Sequence, residues 1–339
     1  MSKGNPMTSP VSRPLNKRSK GSAVYVAVTI AMLTLVVAGI EITRRLKAPA
    51  DAVTTVPAAA KPFPRELRDA KGETLILPHE PQRIVSQTLG TDEILLAICP
   101  TERVVALSDM AEDGAYSNVV EEARQIPNRT TQGPEQILQF KPDLIFVASY
   151  SRAETVDLLK ASKAPVFRFA NFDSIADVKS NIRTVGYATG TDAAAEKLIG
   201  QMDADLAAVR ARIPKSESPP RVMSYDKSGY TAGSNTIFDD VVRAAGAVNV
   251  SAEQGIKGFA KINSEKILEW QPDYLIMGAN RGKEKNVSDY LLEDPAVATS
   301  KAGRAKRIIV IDNRHFLTVS HHVVRFVEDL ANGIYGNRK

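Results

Sequence analysis

The sequence predicts an α/β protein of two similar lobes separated by one long helix. Three observations carry that prediction. Short apolar runs alternate with amphipathic stretches, as in parallel sheets flanked by helices. A nine-residue unit recurs at an offset of 130 residues without a gap. Between its two copies lies a long Ala-rich helical stretch that ends at Pro214.

In the first half, Arg83-Ile84-Val85-Ser86 reads as a buried strand and 92–99 as a helix behind it. Further strands are expected at 104–107, 143–148 and 166–169, with amphipathic segments at 135–140 and 155–161. Apolar residues at Ile175, Val178, Ile182 and Val185 have helical spacing, so 174–189 is expected to be a helix ended by Gly190. Thr191 or Asp192 can cap the next helix, which runs to about 213 and would be about 33 Å long. Ser216-Glu217-Ser218-Pro219-Pro220 is a linker. The alternation then restarts with strands at 221–223, 274–277 and 308–311 and helices at 237–244, 267–270 and 323–334.

The repeated unit pairs Glu135-Gln136-Ile137-Leu138-Gln139-Phe140-Lys141-Pro142-Asp143 with Glu265-Lys266-Ile267-Leu268-Glu269-Trp270-Gln271-Pro272-Asp273. Five of the nine positions are identical, and Phe140/Trp270 is an aromatic pair. Each copy reads as a short helix, a Pro-Asp turn and a buried strand. The repeat is of whole lobes and not of a 20–50-residue solenoid unit.

The N-terminal region has a different character. Lys3, Arg13, Lys17, Arg18 and Lys20 precede an uncharged run from Gly21 to Ile40, and Arg44, Arg45 and Lys47 follow it. Twenty helical residues span about 30 Å, the thickness of a hydrocarbon core, and the charge bias puts the N-terminus in the cytoplasm. An uncleaved anchor is favoured over a cleaved signal, although Ala48-Pro49-Ala50 and Ala50-Asp51-Ala52 are small-x-small sites. Leu35-Val36-Val37-Ala38-Gly39-Ile40 resembles a bacterial lipobox with Ile40 in place of the lipidated cysteine, which excludes lipidation there. The expected organisation is leader and anchor 1–47, flexible tether 48–64, first lobe 65–190, linking helix 191–213 and second lobe 214–339.

The chain's net charge of +5 does not indicate nucleic-acid binding. Residues 1–50 hold eight Lys/Arg and one Asp/Glu, which leaves 36 basic and 38 acidic residues of the totals of 44 and 39, a net of −2. No clustered basic face remains for phosphates. Cys99 is the only cysteine, so neither an intrachain disulfide nor a Cys-based metal knuckle exists. The nucleotide-binding, nucleophile-elbow and zincin motifs are absent, so an enzyme is not expected.

The duplicated helix–Pro-Asp–strand unit with one long helix between the copies resembles the class III solute-binding proteins. These serve ABC importers of vitamin B12, ferric siderophores and haem. The opening Arg83-Ile84-Val85-Ser86, Thr91-Asp92-Glu93-Ile94-Leu95, Tyr230-Thr231-Ala232-Gly233-Ser234 and Asp239-Asp240-Val241-Val242-Arg243-Ala244-Ala245-Gly246 add to the likeness, which covers about 81–336. It implies two Rossmann-like lobes with central parallel sheets, joined by a single long α-helix, with a ligand cleft between them at the carboxyl ends of the strands. It also implies permease docking through one glutamate per lobe, matched by Glu135 and Glu265. Glutamate is in any case favourable in a helix's first turn.

In the vitamin B12-binding relatives an aromatic residue of each lobe packs on the ligand, six positions before the docking glutamate. Phe259 keeps that character, whereas Arg129 or Thr131 stands in the first lobe. Arg129 facing the cleft would favour an anionic cargo; a solvated surface arginine is the alternative. Other cleft candidates follow the strand ends: Thr88, Met110, Tyr116, Tyr150, Arg152, Tyr225, Tyr230, Asn280, Arg281 and Phe316. Tyr116 stands in the loop where haem-binding relatives carry a ligating tyrosine. His315, His321 and His322 cluster in the second half and His79 precedes the first strand, an arrangement that disfavours a free metal ion as cargo.

The expected partners are therefore an ABC importer permease and a small-molecule ligand, with the membrane reached through the N-terminal segment. No nucleic acid and no cofactor are expected, a monomer is, and the cargo can itself be a metal chelate. A membrane-anchored sensor that keeps the binding fold without transport is the alternative.

Overall fold

The computed structural model describes residues 62–69, 71–130, 133–226 and 228–336. The leader, the expected anchor and nearly all of the tether lie outside these residues, as does Thr131. Among the described residues no helix is long and apolar enough to cross a membrane.

Two four-stranded parallel sheets organise the chain. The first contains β3 (Ile84–Ser86), β4 (Val104–Ala106), β5 (Leu144–Ala148) and β6 (Val166–Phe169), in the order β4-β3-β5-β6. The second contains β7 (Arg221–Ser224), β9 (Val248–Asn249), β11 (Tyr274–Ala279) and β12 (Ile308–Asp312), in the order β12-β11-β7-β9. Both have the same topology. Each first strand lies between the second and the third, and the fourth lies beyond the third. In such sheets the connections leave the first strand in opposite directions, which opens a crevice between the carboxyl ends of the first and third strands. Those points are β3/β5 and β7/β11.

Alternate residues of the central strands feed different cores. Leu144 and Phe146 join a large apolar cluster, whereas Ile145 and Val147 pack with Val85, Ile137 and Val156 on the other face. In the second sheet Ile276 joins the same large cluster, while Leu275 and Met277 pack with Ile267 and Trp270. Each sheet thus turns one face to a core common to both halves and keeps the other for its own. The common core includes helices Ile175–Thr189, Asp192–Arg212 and Val323–Tyr335.

The repeat in sequence is a repeat in bonding. Asp143 accepts the backbone N–H of Arg83 at 2.8 Å, and Asp273 accepts that of Arg221 at 2.9 Å. The Arg83 guanidinium donates to the Phe140 carbonyl, and that of Arg221 to the Trp270 carbonyl. Lys141 and Gln271, each before its proline, share φ +48°. Each lobe therefore fastens the start of its first strand to the turn before its third. The short helices Pro134–Gln139 and Glu265–Trp270 precede these turns, anchored by the fully buried Ile137 and Ile267.

Helix Asp192–Arg212 lies between the last strand of the first sheet and the first strand of the second. Its alanines favour helix, Asp192 lies in the first turn, and Arg210 and Arg212 lie in the last, as the helix dipole prefers. Gly190, at φ +74°, ends the preceding helix. A Cβ at Gly186 would come within 2.5 Å of the Ala195 Cβ, so these two helices cross where one of them has no side chain.

Two ribbons have no counterpart in the sequence reading: β1 (Arg65–Arg68) with β2 (Thr74–Leu77), and β8 (Tyr230–Ala232) with β10 (Phe259–Lys261), both antiparallel. The inward positions of β1 are Arg65 and Leu67. The guanidinium of Arg65 lies over the Phe63 and Tyr187 rings and pairs with Asp192. A buried arginine hides the apolar alternation that marks a strand.

A buried acid, Glu93, also joins the halves. Glu93 Oε1 accepts from the backbone and side chain of Asn118, at 2.9 and 3.0 Å. Its Oε2 accepts from Thr318 at 3.3 Å and from Ser320, both beyond β12. Asn118 also donates to the Arg314 carbonyl at 2.8 Å, and Val319 packs on Gly90. Segments that follow β3 and β4 thus meet the segment that follows β12, so the carboxyl ends of the two sheets face each other.

Replacing Glu93 with alanine strands buried donors on both sides of this contact. The expected loss is about 2–4 kcal/mol, measurable as a lower urea midpoint. An unchanged midpoint would contradict the role given to Glu93.

Candidate functional site

The first lobe builds its strand ends on buried polar groups. Ser86, the last residue of β3, contacts Thr91 Oγ1 through its hydroxyl at 2.6 Å, and Thr91 lies 2.8 Å from the Thr88 hydroxyl. Asp92 accepts from the Ser108 hydroxyl and backbone, just beyond β4, and from Ser86. Burial pushes the Asp92 carboxyl up to about 7, against the pull of these hydrogen bonds. Burial likewise raises the neighbouring Glu93.

Tyr150 stands two residues beyond β5. The residue is 51% exposed, and its ring leans on Phe172 with centroids 5.5 Å apart. Thr88, expected in the cleft, is buried, with its hydroxyl 2.8 Å from that of Thr91. Arg152 is exposed beside it. Met110 and Tyr116 are half-buried in the segment after β4.

In the second lobe, Ser224 at the end of β7 accepts the Ala232 N–H at 2.8 Å and so ties the β8–β10 ribbon to the sheet. Phe259 on that ribbon is 44% exposed, and Tyr230 on its partner strand is half-buried. Asn280 and Arg281, directly after β11, are exposed, and Asn280 Oδ1 accepts from Asn313 at 2.6 Å. Tyr150 with Arg152, and Asn280 with Arg281, occupy the same topological position in their lobes, at the carboxyl end of the third strand.

Three further expected cleft residues have other roles. Arg129 donates to the carbonyls of Ile126, Asn128 and Ala123 and pairs with Glu112 at 2.7 Å. Its guanidinium braces loops within the first lobe and is not held out for an anion. Tyr225 is buried in the second lobe's outer core with Met223, Val250 and Trp270. Phe316 packs between Phe238 and Phe326, with centroids 6.3 and 5.2 Å away. Hydropathy cannot tell an aromatic residue at a strand end that turns inward from one that turns outward.

Glu135 and Glu265 are both exposed in the first turn of the two repeat helices. The buried pair Asp92 and Glu93 had no role assigned from sequence. Two adjacent acids inside the otherwise apolar helix Leu89–Ile98 were the available signal, because charged residues are seldom fully buried without partners.

His315, His321 and His322 gather elsewhere. They line a groove of about 590 Å³ between Asp192–Arg212 and Val323–Tyr335, with Asp205, Arg325 and Asp329 among its other walls. None of the exposed strand-end residues contributes to it. His315 lies 2.6 Å from Asp329, and the His321 and His322 rings stack at 4.0 Å. Burial lowers His321 to about 4 and His322 to about 2, so both are neutral near pH 7. Among the described residues no three His, Cys, Asp or Glu side chains are arranged to hold a metal ion.

Asp92 makes stability depend on pH. Its folded value near 7 exceeds the ordinary 3.8, so its contribution is complete below pH 3.8 and is lost as pH rises through about 7. Asp92→Asn keeps an acceptor for Ser108 and removes that loss. The variant is expected to gain stability relative to wild type across this window, measured by urea unfolding at a series of pH values. A constant difference between the two proteins would refute the assignment.

Comparison with known proteins agrees with this architecture. The model of the family described as "Periplasmic binding protein" matches residues 84–315. A cobalamin-binding protein of Halobacterium salinarum is 25% identical over 316 residues, covering 89% of this chain and 84% of the relative. The periplasmic heme-binding protein RhuT of Roseiflexus sp. RS-1 superposes with a TM-score of 0.64 at 29% identity, covering 75% of this chain and 98% of that one. A possible iron-binding periplasmic solute-binding protein of Staphylococcus epidermidis superposes at 0.67 with 21% identity, covering 76% and 99%, a likeness of fold. With matched sheets, a duplicated lobe frame and a family match across both halves, the chain belongs to the periplasmic binding protein family.

Proposed function

We propose that the protein is the extracytoplasmic solute-binding component of an ABC importer. It captures a bulky metal-chelate nutrient (a ferric siderophore, cobalamin or haem) and delivers it to the permease. The observation that carries this reading is the pair of equivalent exposed glutamates, Glu135 and Glu265, one on each lobe's repeat helix. Two separated acidic points set both the position and the orientation of a partner with complementary cations. Ile137 and Ile267 seat the two helices on the outer faces of their sheets, away from the shared core.

The cargo class draws on the relatives, which include cobalamin-binding, heme-binding and iron(3+)-hydroxamate-binding proteins. The strand-end surface is compatible with such ligands. Tyr150 and Phe259 offer aromatic area, while Arg152, Arg281 and Asn280 offer polar and cationic groups for carboxylates or amides. Binding, and not catalysis, is the activity proposed, because these groups include no nucleophile with an adjacent base.

Glu135→Lys combined with Glu265→Lys is expected to abolish uptake of the cargo in the native host and to leave its affinity for the purified protein unchanged. Normal uptake by the double variant defeats the docking assignment. The same host supplies a second check. Full-length protein purified from it is expected to retain a coloured small molecule, identifiable by absorption spectrum and mass, and colourless, ligand-free protein argues against this cargo class.

A further inference from the structure

Each repeat helix carries its exposed glutamate at one end and is gripped by an arginine at the other. The helices Pro134–Gln139 and Glu265–Trp270 have six residues each, too few to hold a direction by their own hydrogen bonds. Their direction is set by what touches them. Ile137 and Ile267, both fully buried, seat each helix on the outer core of its lobe. At the C-terminal end the carbonyls have no partner inside the helix. Arg83 Nε donates to the Phe140 and Lys141 carbonyls at 2.9 and 3.2 Å, and its Nη2 to Phe140 at 2.6 Å. Arg221 Nη1 donates to the Trp270 and Gln271 carbonyls at 3.0 and 3.4 Å. A guanidinium is also the charge that a helix C-terminus favours.

One attachment leaves a short helix free to rock, and two fix it. The far side of each clamp is equally constrained. Asp143 and Asp273 hold the backbone N–H of Arg83 and Arg221, and the residues that follow, Ile84 and Val222, are fully buried in the common core. Lys141 and Gln271 keep φ +48° directly before a proline, where extended backbone is preferred. Two lobes whose rims differ thus retain the same unfavourable turn at the end of the same helix.

We propose that Arg83 and Arg221 are positioning residues for permease docking. Each clamps the end of its repeat helix, so that the glutamate at the other end meets the partner at a set place. This rests on the reading of Glu135 and Glu265 as docking points and names the residues that aim them. A continuous path joins the two helices, from Phe140 through Arg83 and Ile84 to the common core, then through Val222 and Arg221 to Trp270. The separation of the two glutamates is therefore a property of that core. Loss of either arginine lets its helix pivot about the buried isoleucine and swings one docking point out of register. Both arginines stand where the first strand of their sheet begins, away from the carboxyl ends, so cargo affinity does not depend on them.

The test measures uptake in the native host with the full chain and radiolabelled haemin, cyanocobalamin and a ferric trihydroxamate. For each probe that wild type imports, Arg83→Ala is expected to lower the initial rate about fivefold. The purified variant is expected to bind that probe within about twofold of wild type. Arg83→Lys keeps the charge without the planar fork and is expected to recover part of the rate. In a Glu135→Gln background, Arg83→Ala is expected to cost nothing further, because the group it aims is gone. In a Glu265→Gln background it costs its full factor, and Arg221→Ala shows the reverse dependence. An equal cost in both backgrounds overturns the proposal, since a merely structural arginine acts whichever glutamate remains. Wild-type uptake by both alanine variants overturns it too. Where an alanine variant fails to accumulate, the lysine variant carries the same cycle. Normal uptake by Glu135→Lys with Glu265→Lys defeats the docking reading and the positioning role with it, whereas failed arginine cycles with the glutamates still required defeat the positioning alone. Wild type that imports none of the probes counts against the import reading, and the positioning role falls with it.

Discussion

A buried carboxylate shared between the two halves is the constraint on which the rest of the site depends. Glu93 takes donors from Asn118 on its own side and from Thr318 and Ser320 on the other. An acid removed from water is costly unless its oxygens are saturated with donors. Here the donors come from segments far apart in sequence, so the acid is satisfied only when the halves are together. The same contact turns the carboxyl ends of both sheets towards one another, and it is there that open parallel sheets present ligand sites.

The helix bearing Glu93 serves both sides of that arrangement. Its neighbour Asp92 faces Ser86 and Ser108 at the ends of β3 and β4, and a hydroxyl chain runs from Ser86 through Thr91 to Thr88. One turn of helix thus supports the first lobe's outward surface and clasps the second lobe. Adjacent helical residues point about 100° apart, so consecutive acids can serve two partners.

The duplicated frame and the divergent rims have separate physical origins. Arg83 and Arg221, Asp143 and Asp273, and Ile137 and Ile267 occupy equivalent places because each lobe must fix its first strand to its third and cover its outer face. Beyond the strand ends nothing enforces likeness. The first lobe places Tyr150 where the second places Asn280 and Arg281. The histidine groove beside Asp192–Arg212 stands apart from this chemistry, its His321 and His322 neutral at physiological pH.

Periodicity and the internal repeat, both local properties, were enough to determine the alternation of strands and helices, the duplicated Pro-Asp unit and the helix between the halves. They also placed Glu135 and Glu265 in the first turns of the two repeat helices, since the first turn of a short amphipathic helix is legible from its neighbours. Tertiary structure alone decided which strand-end side chains turn outward. Arg129, Tyr225 and Phe316 are spent on loop carbonyls and cores, whereas Tyr150 and Phe259 stay open. It also decided the pairing of Glu93 with Thr318 and Ser320, more than two hundred residues away. Local sequence records what a residue can bury or donate, and the identity of its partner is set only when distant segments pack together.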